Sequence, residues 1–296
     1  MVAKKLMIVI VGPTASGKTG LAIKIAKKFD GEIISADSRA IYKHMDIGTA
    51  KPTPAELDGV RCWGIDLVEP DELFTVADFQ EYANEAIKDI YSRGKLPILC
   101  GGSGLYIDSV IFNYEFPKDS NEKIRKKLNS MSVEELTAYC KENNITLPEN
   151  SKNKRYLIRT IERGGKVNSN RDSIRDDCTV FGIKIGKEEL LDRIIKRADI
   201  MFSDEIEKET KYLADRYSFE IESMKSNIYP IVNQMMNGEI SLAQAKELFI
   251  TDDWHLAKKQ NTWFKRNQFI KWHTTDEIEQ IIGKMLTKNH NLEIKQ

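Results

Sequence analysis

Eight consecutive residues, Gly12-Pro13-Thr14-Ala15-Ser16-Gly17-Lys18-Thr19, hold the ingredients of a phosphate cradle. Glycines let such a loop wrap an anion, backbone N–H groups turn inward, and the start of a helix adds a favourable dipole. Lys18 would neutralise diphosphate oxygens and the Thr19 hydroxyl would ligate Mg²⁺. Ser16 sits in the same turn and offers a further hydrogen bond, so Gly12, Thr14, Ala15, Ser16, Gly17, Lys18 and Thr19 form the candidate binding loop. The stretch fills the G-x-x-x-x-G-K-T pattern completely. Most such loops hold ATP or GTP, which makes nucleotide binding, and ATP binding in particular, the first expectation. No Asn-Lys-x-Asp base-recognition element of a GTPase follows, and Gly64-Ile65-Asp66 is a weak match to the acid-ended strand of an ATPase.

Asp37 is the more informative acid. It ends a short apolar segment, on the sheet edge where ligands of open parallel sheets collect. There it either organises Mg²⁺ or accepts a proton from a nucleophile, or it caps the turn that follows. Gly101-Gly102-Ser103-Gly104 makes a second glycine-rich loop at the same edge, with Ser103 as a donor for a phosphate or leaving group; a plain turn fits equally well. Arg193 and Arg197 are four apart on one helical face, a spacing that suits a grip on pyrophosphate as well as an ordinary solvated pair.

Two basic stretches raise the question of a polymer substrate. Lys152, Lys154, Arg155, Arg159, Arg163, Lys166, Arg171 and Arg175 stand against only Glu162 and Asp172, a local excess suited to nucleic-acid phosphates or to a solvated helix face. Over 256–271, Lys258, Lys259, Lys265, Arg266 and Lys271 interleave with Trp263, Phe264 and Phe269. Such a pattern serves backbone phosphates and unpaired bases, or an amphipathic helix whose aromatics fill a core.

The elements that must position these residues alternate. Apolar runs at 6–11, 32–36, 96–100 and 179–185 read as strands, and apolar periodicity predicts helices over 18–29, 76–91, 188–202 and 204–217. Between 113 and 176 the chain turns to Lys, Asn and Ser, with helices expected at 120–128, 133–142 and 156–163; the tail to 296 reads as helical. The expected fold is α/β: a P-loop parallel-sheet core (1–112 and 177–296) with an inserted helical subdomain (113–176) and a helical C-terminal part. The 296 residues carry 45 basic and 45 acidic side chains, and that neutrality argues against non-specific coating of nucleic acid. Cys62, Cys100, Cys140 and Cys178 lie 38 to 40 residues apart, which points to buried thiols rather than disulfides or a metal site. The N-terminal apolar run is too short for a signal peptide or a membrane span, so a cytoplasmic location is expected.

Taken together, the loop 12–19, Glu32-Ile33-Ile34-Ser35-Ala36-Asp37-Ser38, Met45-Asp46-Ile47-Gly48-Thr49-Ala50-Lys51-Pro52, Val76-Ala77-Asp78-Phe79, Gly101-Gly102-Ser103-Gly104-Leu105-Tyr106 and Ala257-Lys258-Lys259-Gln260-Asn261-Thr262-Trp263-Phe264 resemble the tRNA dimethylallyltransferases, also called tRNA isopentenylpyrophosphate transferases. The resemblance runs nearly end to end. It implies transfer of a prenyl group from dimethylallyl diphosphate to N6 of adenosine 37 of tRNA, with Mg²⁺ as cofactor. It further implies Asp37 as general base, Ser103 beside the leaving group, an arginine of the Arg193/Arg197 pair on pyrophosphate, and the 113–176 insertion around the tRNA anticodon stem-loop. Ser38, Lys154, Arg155, Arg159, Lys258, Lys259 and Gln260 fall to the RNA side. No membrane and no obligate protein partner are implied.

The sequence departs from the family pattern at Arg39-Ala40-Ile41-Tyr42, at Lys152-Asn153-Lys154-Arg155-Tyr156, at Ile228-Tyr229-Pro230, where Gly-Tyr-Lys/Arg is usual, and at Asp253-Trp254, where Thr-Arg is usual. The diphosphate side is thus better kept than the RNA side. Alternatives are another adenine acceptor such as AMP, a small-molecule P-loop kinase, and a non-catalytic RNA-binding relative.

Overall fold

β1 (Met7–Val11) is buried at every position, as a central strand of a parallel sheet covered on both faces must be. The computed structural model describes residues 5–116, 122–148, 150–164, 171–225 and 228–293. After β1 come α1 (Lys18–Lys28), β2 (Gly31–Ser35), α2 (Pro54–Leu57), β3 (Cys62–Trp63), α3 (Val76–Ser92), β4 (Leu96–Gly101) and α4 (Gly104–Ile111). Helices α5 (Glu122–Ser130), α6 (Val133–Glu142) and α7 (Lys154–Glu162) follow. The chain continues through β5 (Cys178–Ile183), α8 (Lys187–Met201), α9 (Asp204–Ala214), α10 (Ile228–Met236), α11 (Leu242–Phe264), β6 (Lys271–His273) and α12 (Thr275–Glu293).

The six strands lie in the order β3-β2-β4-β1-β5-β6, and every pairing is parallel. The register aligns Val11 with Gly101 and with Gly182, and Ser35 with Cys100. The loops after β1, β2 and β4 therefore leave the sheet side by side at one edge. On one face, Leu21, Ala22 and Ile25 of α1 and Ile278 and Ile282 of α12 cover Ile8, Ile10, Ile33, Ile98 and Phe181. On the other, α3 packs against β2 and β4 and against α4, with the Phe79 and Tyr106 rings stacked at 4.0 Å. Helix α3 starts on a capping box, Thr75 and Asp78 each accepting from the other's backbone N–H.

The chain divides into two compact units, Met1–Ile111 with Ile174–Gln296, and Phe112–Ser173. The second holds α5, α6 and α7 around Leu128, Leu136, Cys140, Leu157, Ile158 and Ile161. Two strands escape the sequence pattern. β3 has two residues and β6 three, so neither shows a periodicity, and β6 corrects the wholly helical reading of the tail. Lys271 accordingly stands in a strand rather than in the basic helix. All four cysteines are free, and burial pushes the Cys62, Cys100 and Cys178 thiols up to about 12. Among the described residues no helix is long and apolar enough to cross a membrane.

Candidate active site

The loop between β1 and α1 is held in shape by positive φ at Ala15 (58°) and Gly17 (87°). Gly17 caps α1 without a side-chain bond, and the first turn of the helix carries no acid, so its dipole is free for an anion. Thr14 and Ser16 are buried. The Ser16 hydroxyl finds no protein partner among the described residues, the condition of a donor that awaits an external acceptor. The Lys18 ammonium donates to the Pro13 carbonyl at 3.1 Å. Burial draws its pKa down and Arg197 adds to this, while Cys100, Asp37 and Asp253 oppose it; an arriving diphosphate would restore the ammonium's preference for charge.

Helices α8 and α11 surround this loop with polar groups. Arg193 donates through Nη1 to the Ser16 carbonyl at 3.0 Å and through Nη2 to Glu189 at 2.8 Å. Arg197 donates through Nη1 to Thr14 Oγ1 at 2.5 Å. From α11, Gln260 Oε1 accepts from the Thr14 N–H at 2.7 Å, and the far end of its side chain occupies the space that a Cβ at Gly102 would need. Asp253, two turns earlier on the same face of α11, is buried. Its carboxylate accepts from Thr14 Oγ1 at 3.4 Å and lies 3.8 Å from Arg197 Nη1. Trp254 packs with Ala15, Leu190, Ile194 and Ala257 in the seam between α8 and α11. The Asp253-Trp254 departure thus lies against the phosphate loop.

The second cluster grows from the ends of β2 and β4. Asp37 Oδ1 accepts from the Arg39 N–H at 2.9 Å, so the carboxylate caps its own turn. Ser103 Oγ accepts from the Ser38 N–H at 2.9 Å and donates to Ser38 Oγ at 3.1 Å. The Ala36 carbonyl fills the place of a Cβ at Gly101, which draws the two strand ends together. Asp37 acts electrostatically on Lys18, joining the two clusters across the edge of β4.

Other sequence candidates are placed differently. Phe264 is fully buried, and the Trp263 indole N–H donates to Asp108 at 3.0 Å with its ring against Gly104. Of the two readings open for these aromatics, Trp263 and Phe264 take the core-packing one. Lys258 and Lys259 are exposed, Lys258 lying over the Trp254 ring. Gln260 belongs to the hydrogen-bonding network of the phosphate loop. Asp66, the weak ATPase-type acid, is paired with Lys51 at 2.6 Å; the same ammonium holds Asp46 at 2.7 Å. In the second unit Arg155 and Arg159 are exposed one turn apart on α7, while Lys154 bonds the Asn129 carbonyl at 2.7 Å. The long basic cluster is not one patch: Arg175 pairs with Asp177, Arg171 donates to the Tyr114 hydroxyl, and Lys166 lies outside the described residues.

Sequence reasoning missed Glu209. Its carboxylate accepts from the N–H groups of Asp46, Ile47 and Gly48 at 2.8 to 2.9 Å and from the Tyr229 hydroxyl at 2.8 Å. Bonds to backbone leave no trace in the partner's side chains, so no pattern in the sequence announces them.

A parallel sheet with a G-x-x-x-x-G-K-T loop at one edge, two arginines over it and a carboxylate on a neighbouring loop defines a P-loop protein with an anion-binding loop beside an acid. A family model described as IPP transferase matches residues 40–267. The tRNA dimethylallyltransferase of Acetivibrio thermocellus is 40% identical over 290 residues, covering 92% of this chain and 93% of its own. That of Staphylococcus haemolyticus is 38% identical over 293 residues, covering 93% and 88%. Among solved structures, the tRNA Δ(2)-isopentenylpyrophosphate transferase of Staphylococcus epidermidis superposes with a TM-score of 0.70 at 36% identity, covering 95% of this chain and all of that one. The Bacillus halodurans tRNA isopentenylpyrophosphate transferase gives 0.72 at 32% identity, covering 98% and 99%. The chain belongs to the IPP transferase family.

Proposed function

We propose that this chain transfers the dimethylallyl group of dimethylallyl diphosphate to N6 of adenosine 37 in the tRNA anticodon loop, releasing pyrophosphate. The observation that carries the reading is the juxtaposition at one sheet edge of the Lys18 cradle, covered by Arg193 and Arg197, with Asp37 on the loop two strands away. An exocyclic adenine nitrogen is a poor nucleophile, so the site must activate carbon. Lys18, the Ser16 hydroxyl and the arginines stabilise charge gathering on pyrophosphate as the allylic carbon–oxygen bond breaks. N6 forms the new carbon–nitrogen bond, and Asp37 orients the amine and takes its proton. Ser103, bonded to Ser38, fixes the turn that presents Asp37.

A divalent cation fits this donor set. Thr19 is exposed in the first turn of α1, and one hydroxyl with diphosphate oxygens and water is how Mg²⁺ is commonly held. The ion would neutralise the leaving pyrophosphate. On the RNA side, the exposed Arg155 and Arg159 of α7 and Lys258 and Lys259 of α11 suit backbone phosphates, and the second unit would receive the anticodon stem-loop. A cytoplasmic location goes with this reading.

The test is transfer of labelled prenyl to an anticodon stem-loop carrying A36-A37-A38, with AMP as competing acceptor. Labelled stem-loop supports the reading. Label on AMP alone redirects the acceptor, ATP-dependent phosphorylation without prenyl transfer makes the protein a kinase, and RNA binding without any turnover makes it a non-catalytic relative.

A further inference from the structure

We infer that Asp253 is a built-in counter-charge of the phosphate loop that weakens its hold on pyrophosphate and so speeds product release, an inference that rests on the diphosphate reading of the loop. A buried carboxylate beside an anion site is costly and opposes the anion. Asp253 is 2% exposed, and its neighbours are the groups that would grip the ligand. Thr14 Oγ1 donates to it at 3.4 Å, Arg197 Nη1 stands 3.8 Å away, and Lys18 acts on it electrostatically. Burial above all, with the like charge of the adjacent Asp252, draws its pKa up, and Arg197, Thr14 and Lys18, the groups a diphosphate would claim, oppose this.

Two roles are open to such a group: holding Thr14 and Arg197 in place, or subtracting charge from the cradle. The geometry decides for the second. Arg197 is fixed without Asp253, by its 2.5 Å bond to Thr14 Oγ1 and its Nε contact with Met201 Sδ at 3.3 Å. The Thr14 backbone is fixed by Gln260 at 2.7 Å. The bonds to Asp253 are the longest in the network, so removing its charge costs little order. It frees Arg197 and Lys18 from a competing anion within a poorly solvated site, where charge interactions are strong.

The experiment is titration calorimetry of the full chain with inorganic pyrophosphate in magnesium-containing buffer. Asp253→Asn keeps the shape and an acceptor for Thr14 while removing the charge. Its pyrophosphate Kd is expected to fall about tenfold, with product inhibition of transfer strengthened in step. Asp253→Thr, shorter and hydroxylic, is expected to move in the same direction and guards against misfolding of the first variant. If Asp253 only braced the loop, both variants would bind pyrophosphate more weakly than wild type; equal or weaker binding in folded variants overturns the inference. Failure of the wild type to bind pyrophosphate at all would overturn the diphosphate reading itself, and the inference with it.

Discussion

The Tyr229 hydroxyl donates to Glu209 at 2.8 Å, and its ring fills the space that a side chain at position 48 would need. The pair fastens the Asp46 to Gly48 backbone, part of the stretch by which the chain resembles its family. The neighbouring Ile228 and Pro230 depart from the family pattern, whereas Tyr229 keeps a place for which its hydroxyl is required. Tyr229→Phe is expected to cost about 1 kcal/mol, one hydrogen bond. Glu209→Ala, which strands three backbone N–H groups, is expected to cost about 2–3 kcal/mol. Urea unfolding midpoints measure both.

Asp37→Asn keeps an acceptor for the Arg39 N–H but cannot take a proton at neutral pH. Prenyl transfer is expected to fall by about 10² to 10⁴, with stem-loop affinity retained in a filter-binding assay. Undiminished turnover would remove Asp37 from the role of base.

Gly102→Ala places a methyl where the Gln260 side chain ends. The amide must swing away, and the Thr14 N–H loses its acceptor. The expected outcome is a rise of about 3- to 10-fold in KM for dimethylallyl diphosphate, with stem-loop binding unaffected. Steady-state kinetics with each substrate varied in turn separate the two.

Glu32 supplies a pH signature of the core. Its buried carboxylate accepts from Arg93 and, at 2.8 Å, from the Trp63 indole N–H. Arg93 above all, then Trp63, holds its pKa at about 2, against an ordinary 4.5, in spite of burial. A carboxylate depressed in the folded state contributes stability in full above its unfolded value and loses it as pH falls toward about 2. The contribution is on the order of 3 kcal/mol. Wild type should therefore lose denaturant resistance between pH 5 and about 2, and Glu32→Gln, less stable at neutral pH, should show a flatter profile there.

On the RNA side, Arg155→Ala and Arg159→Ala are each expected to weaken stem-loop binding and to reduce the slope of log affinity against log salt by about 1. An unchanged slope would place these arginines away from the phosphates.

Where the physics is local, the sequence announces it. The all-apolar β1, the glycine-rich turn after it and the apolar stripe of α3 each state their structure within a few residues, and the parallel sheet follows from their alternation. The Lys18 loop is legible for the same reason, whereas Asp37 and the Arg193/Arg197 pair each admit two readings in the sequence, and it is the folded chain that sets them beside that loop. The rest depends on chain-distant geometry. In the sequence Asp253 is only a departure from a family pattern; the packing of α11 against the phosphate loop gives it a place. Gln260 looked like a neighbour of two RNA-facing lysines, yet one step along the helix turns it toward Thr14. The aromatic run at 263–264 could be read two ways, and only the contact with Asp108 and Gly104 separates them.

The strand order sets the geometry of the reaction in a further sense. β4 stands between β1 and β2, so the phosphate loop and Asp37 leave strands that are two interstrand repeats apart, about 10 Å. A sheet keeps that interval as a ruler does, independent of the loops that leave it. If the second unit and the exposed face of α11 present the nucleic acid, as proposed above, changes there can alter the acceptor without disturbing that interval. A lineage can therefore retune its acceptor and leave the bond-making step untouched.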